Sequence, residues 1–136
     1  MRVFQMSSLV VIVAIVLTAC SGGGATPSTT IKVEMTDFQF TPNKFVVPAG
    51  QTITITVTNA GSVVHDFIIM KLGADVGDDY GPEDAPNVFW QAQIQPGESS
   101  TETFTAPAEP GEYQVVCGTP GHFKAGMIAA LIVAAP

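Results

Sequence analysis

The chain has 136 residues, and 5 Lys+Arg stand against 12 Asp+Glu for a formal net charge of −7. Hydrophobic residues make up 46% and charged residues 12%, which excludes general disorder and suits one domain around one core. The acidic balance, with no basic stripe, excludes a nucleic-acid partner, and a total of 2 Cys and 2 His excludes large metal clusters and most multi-metal enzymes.

The first segment reads as an address. Met1-Arg2 supplies a small positive end, and Leu9–Leu17 is an unbroken apolar run. That run suits a signal-peptide core and is too short to span a bilayer, which takes about 20 residues. Leu17-Thr-Ala-Cys20 follows and resembles a bacterial lipobox, which predicts a signal peptide over 1–19 and a lipid-bearing Cys20. The alternative is an ordinary signal peptide, or an uncleaved anchor, with an incidental Cys. Each places the domain outside the cytoplasm; the lipobox adds anchoring to the cell membrane. Residues 20–30 then form the lipidated Cys and a flexible Gly/Ser/Thr tether. With Cys20 acylated, Cys117 is the remaining thiol and no intramolecular disulfide forms. A single unpaired thiol is unusual in an exported domain.

Residues 31–136 read as all-β. Gln51–Asn59 alternates strictly, with Ile53, Ile55 and Val57 on one face and threonines on the other, as a half-buried strand does. Further strands are predicted over Ile31–Phe38, Lys44–Val47, Val63–Met70, Ser99–Thr105, Gly111–Cys117 and Met127–Val133. Turn signals separate them, among them Gln95-Pro-Gly-Glu98 and Glu109-Pro-Gly111. About seven to eight short strands with regular turns predict a Greek-key sandwich or barrel. Lys71–Asn87, with Asp75, Asp78, Asp79, Glu83 and Asp84, reads as a solvated acidic connection. Its functional alternative is a docking surface for a basic partner; its spacing does not match an EF-hand calcium loop.

The chemistry lies near the C-terminus. Cys117-x4-His122-x4-Met127 brings thiolate, imidazole and thioether to one loop between two strands. Tyr113 and Val115 share the face of Cys117, so its sulfur points inward. The other histidine, His65, sits on an apolar strand. Each of these residues taken alone is more often a core residue than a ligand. Together they are the donor set of a blue copper site, a His2Cys plane with a weak axial Met. Zinc is the metal rival, but thioether serves it poorly.

At these residues the domain resembles the cupredoxins. The Cys-x4-His spacing is similar to azurin-like loops and longer than that of plastocyanin. Pro120-Gly-His-Phe-Lys-Ala-Gly-Met127 and residues 86–99 resemble the auracyanin group, membrane-associated blue copper proteins of filamentous anoxygenic phototrophs. The resemblance spans residues 31–136. It implies one copper ion held by His65, Cys117, His122 and Met127, with the Val64 carbonyl near the axis but not counted as a ligand, and Tyr113 as a tyrosine corner. Two departures stand out. Asp66 replaces the family's usual Asn after the first His, where it accepts similar hydrogen bonds, with Thr119 or a backbone N–H as donor, and adds negative charge near copper. The azurin disulfide is missing.

The resemblance implies a non-enzymatic electron carrier. Pro120, Gly121, His122 and Phe123 would form its electron port and docking patch. Its partners would be membrane-bound redox complexes or a c-type cytochrome, with electrons passing from a quinol-oxidising complex to a reaction-centre cytochrome, and the protein would act as a monomer. The alternatives are an exported copper chaperone or store, a copper enzyme, which needs more histidines than the chain has, and a metal-free adhesion sandwich.

Overall fold

The computed structural model describes residues 25–136; the expected signal peptide, Cys20 and the first tether residues lie outside the described residues. Among the described residues nine strands form: β1 Thr30–Thr36, β2 Gln39–Thr41, β3 Lys44–Pro48, β4 Thr52–Asn59, β5 His65–Met70, β6 Val88–Ile94, β7 Ser99–Thr105, β8 Gly111–Val116 and β9 Ile128–Ala134. They make one sheet in the order β2-β1-β4-β7 and a second in the order β3-β9-β8-β5-β6. β1 runs parallel to β4 and β3 parallel to β9; the other pairings are antiparallel. Among the described residues no helix is long and apolar enough to cross a membrane.

Period-2 patterning sets which face is buried. On β4, Ile53, Ile55, Val57 and Asn59 are buried, while the threonines lie outside and bond across to β7 through Thr56–Thr101 and Thr58–Ser99. On β8 and β9, Tyr113 pairs with Leu131 and Val115 with Ala129, which stacks their apolar side chains into the same core. Phe67 on β5 ties the two layers together. Its ring centroid lies 5.6 Å from Phe40 of the first sheet, 5.7 Å from Phe45 and 6.4 Å from Trp90 of the second. Trp90 in turn stacks on Phe104 at 4.9 Å. The Tyr113 hydroxyl donates to the Glu109 carbonyl at 2.7 Å, the tyrosine-corner bond that pins the turn into β8.

The structure adds two strands to those expected. β2 is three residues long, below what periodicity resolves. β6 is an edge strand that exposes Phe89 and Gln91 and half-buries Trp90, so its apolar pattern is blurred. The acidic connection also differs from a solvated loop. Val76 is buried, and with Phe123, Tyr80 and Val88 it covers Ile68, Met70 and Val116 on the outer face of the second sheet. A bond from the Val76 N–H to the Gln114 side chain at 2.8 Å pins it there.

Replacing Phe67 with Ala removes the ring shared by both layers. Chemical denaturation should show a loss of about 3–5 kcal/mol.

Candidate metal centre

His65 is the first residue of β5 and pairs with Ile94. The loop that delivers it is folded around Asn59, the buried last residue of β4. The Asn59 side-chain NH2 donates to the carbonyls of Val63 at 2.8 Å and Ile94 at 2.9 Å, and its oxygen accepts from the Gly61 N–H at 2.9 Å. Every polar atom of this buried amide is used, which offsets its desolvation.

Cys117 follows β8 directly and is fully buried. The segment after it curls into one compact turn. The His122 N–H donates to Thr119 O, Ala125 N–H to Gly121 O, and Met127 N–H to His122 O, each at 3.0 Å. Gly121 and Gly126 have φ of 80° and 95°, where a side chain is strained. The turn returns Met127, also fully buried, to the core at the start of β9.

The donors converge. Cys117 Sγ lies 3.7 Å from His65 Nδ1 and 3.7 Å from His122 Nδ1. Among the described residues these three side chains form the cluster able to hold a metal, with their donor atoms within 4.8 Å of one another. The spacing tests the fit. A small transition-metal ion bonded at about 2.3 Å to sulfur and about 2.0–2.1 Å to nitrogen, with 120° between bonds, separates S from N by about 3.7–3.8 Å. One thiolate, two imidazoles and a buried thioether beside them suit copper better than zinc. Burial pushes the His65 imidazole below its ordinary pKa, the neighbouring His122 adds to this, and Asp37 opposes it. The neutral ring is the ligating form.

Neighbouring residues are placed differently from expectation. The two ligand loops are tied by Thr119, whose hydroxyl donates to Val64 O at 2.7 Å, so the expected Thr119–Asp66 bond is replaced. Asp66 instead accepts from Gln93 Nε2 at 2.9 Å, because on β5 it faces away from the core toward its β6 partner. Asp66 does border Gly118, where a Cβ would sit 2.9 Å from its Oδ2. Phe123, expected on the docking patch, is 8% exposed and turns inward under the acidic connection. Pro120 and Gly121 are exposed, and His122 keeps 7% exposure. The aromatic ring outside His122 is Phe38, 51% exposed, with its centroid 4.9 Å from the imidazole.

Asn59, Asp37, Phe38 and Asp79 were missed as site residues. Asp37 Oδ1 meets His65 Nε2 at 3.3 Å, and Asp79 Oδ2 accepts from the Gly121 N–H at 3.3 Å. Asn59 carried a signal as the residue ending an alternating strand before Ala60-Gly61. The others had none, since each acts across a long separation in the chain.

The family model of the cupredoxin-like domain matches residues 9–130. The chain is 31% identical over 137 aligned residues to Auracyanin-A of Chloroflexus aurantiacus, covering 81% of this chain and 84% of that protein. The crystal structure of dithionite-reduced auracyanin from the photosynthetic bacterium Roseiflexus castenholzii matches with a TM-score of 0.68 at 34% identity, covering 80% of this chain and 99% of that one. The copper-resistant cuproprotein CopI of Rubrivivax gelatinosus is 27% identical over 116 residues, 82% of this chain and 70% of its own length.

Thr119→Val keeps the side chain's shape and strips the Val64 carbonyl of its partner. Thermal unfolding of the metal-free domain should report a loss of about 1 kcal/mol.

Proposed function

The chain belongs to the cupredoxin-like domain family, and from the geometry of its metal centre we propose that it is an exported, membrane-tethered blue copper protein that carries single electrons by outer-sphere transfer. The observation that carries this reading is the pair of 3.7 Å separations from Cys117 Sγ to the Nδ1 atoms of His65 and His122 inside a buried cage. Cys117, His65, His122 and Met127 would hold the ion. Bound copper supplies the Cu(II)/Cu(I) couple.

The residues of the chain supply the rest. The sandwich and the Asn59 and Thr119 bonds hold the donors in one arrangement for both oxidation states. The thiolate and thioether are sealed from water. With all four donor side chains engaged, no position is left open for a substrate, which favours a carrier over an enzyme. His122 is the least enclosed ligand through Pro120, Gly121 and Phe38, and its ring edge is the electron port. A small patch with rapid release suits transient docking. Asp75, Asp78, Asp79, Glu83 and Asp84 supply negative charge that would steer a basic partner such as a c-type cytochrome. By resemblance to the auracyanins, the donor is a membrane quinol-oxidising complex and the acceptor a reaction-centre cytochrome. The lipobox-like Leu17–Cys20 supports anchoring on the outer face of the membrane, and the protein is read as a monomer.

A second reading, an exported copper-resistance or storage protein, draws on the likeness to CopI. The two part in one measurement. A carrier cycles reversibly at an electrode with its copper retained, whereas a store yields copper to a competing acceptor.

Titration with Cu(II) should give an intense visible charge-transfer band that saturates at one ion per chain, and Cys117→Ser should abolish it. A colourless wild-type protein would overturn the copper reading. Met127→Leu should keep the colour and raise the reduction potential, because a donor to Cu(II) is lost; an unchanged potential would remove Met127 from the ligand set.

A further inference from the structure

The turn between β1 and β2 belongs to no ligand motif, yet it touches both histidines. Asp37 Oδ1 lies 3.3 Å from His65 Nε2, and the next residue, Phe38, places its ring 4.9 Å from that of His122. The carboxylate is itself held. Ser62 donates its backbone N–H to Oδ1 at 3.1 Å and its hydroxyl to Oδ2 at 2.8 Å. Gly61 leaves the space for this arrangement, since a Cβ there would overlap both His65 Nε2 and Asp37 Oδ1. Phe38 has φ of 70°, a left-handed conformation that strains a non-glycine residue. The turn is therefore held in place by its contacts, not by its local preference.

His65 Nδ1 faces the sulfur; with Nδ1 committed to a metal, Nε2 is the nitrogen that carries the hydrogen, and it faces Asp37. A carboxylate in this position fixes the ring's tautomer and orientation and raises its basicity. A more basic ligand, and a fixed negative charge beside it, both favour Cu(II) over Cu(I).

We propose that Asp37 is a positioning residue of the metal centre: its carboxylate, oriented by Ser62, commits His65 Nδ1 to the metal and holds the reduction potential below the value the four ligands would set alone. The proposal rests on the copper reading above.

The test uses the copper-loaded protein and four variants. Asp37→Asn keeps the shape and removes the charge. Asp37→Ala removes the contact. Ser62→Ala loosens the carboxylate. Glu112→Gln removes one exposed negative charge at the start of β8, about 16 Å of strand from Cys117. Protein-film voltammetry reads the potential, and pulsed EPR reads the quadrupole coupling of the remote nitrogen of each bound imidazole.

Asp37→Asn should remain blue, show a higher potential, and change one of the two remote-nitrogen couplings. Asp37→Ala should in addition bind Cu(II) about 10- to 100-fold more weakly. Ser62→Ala should shift the potential in the same direction by less, and it carries the test if the Asp37 variants fail to fold. Glu112→Gln should leave the couplings unchanged and move the potential least. Equal shifts in Asp37→Asn and Glu112→Gln, or unchanged nitrogen couplings, would overturn the proposal while leaving a blue wild-type protein, and so the copper reading, intact. A wild-type protein that takes no copper would overturn both.

Discussion

Everything in this molecule depends on bringing a sulfur and two imidazole nitrogens to 3.7 Å separations in a space that excludes water. Such a cluster is costly in a metal-free fold. Polar atoms leave solvent, and backbone groups in two loops lose their water partners. The structure meets this by supplying partners for every group. Asn59 holds the loop before His65 and the Ile94 carbonyl of β6 through its side-chain amide, Thr119 bridges the two ligand loops, and the 119–127 turn closes on itself. Among the described residues no buried side-chain nitrogen or oxygen lacks a partner.

The result is a centre with two unlike ends. His65 is fully buried, and its outward nitrogen is engaged by a carboxylate that Ser62 also grips. His122 lies toward the surface, under Phe38 and beside exposed Pro120 and Gly121. In the proposed reading, the anchored imidazole sets the properties of the centre and the other exchanges electrons with a partner. The acidic connection contributes structurally as well. It seals the outer face of the second sheet through Val76 and Tyr80, and through Asp79 it holds the backbone of the ligand turn.

The ligand set was legible because its members are chemically rare here. A chain with two histidines offers few ways to build a site, and Cys117, His122 and Met127 lie within one loop whose glycines mark a tight turn. The main strands were legible for a different reason: alternation over β4, β8 and β9 leaves one face no place but the core. β2 and β6 were not, since a very short strand and an edge strand with solvent on one side carry no firm period. Thr119, or a backbone N–H, was expected to donate to Asp66, but the Thr119 hydroxyl donates to the Val64 carbonyl. Choosing between two oxygens a residue or two apart requires the direction in which each points. Phe123, expected at the surface patch, turns inward for the same reason, and Phe38 stands outside His122 in its stead. An aromatic residue beside a ligand in the chain is not thereby beside it at the surface.

By itself, then, the sequence determined the fold class and the donor atoms, because composition, periodicity and spacing are properties of neighbours along the chain. Only the tertiary structure decided what surrounds the donors. Asp37 reaches His65, and Phe38 reaches His122, from a strand turn far away in sequence, and that turn is held in a backbone conformation its residues do not prefer. Contacts of this kind arise from how two sheets pack and where their ends meet, and no local pattern encodes them.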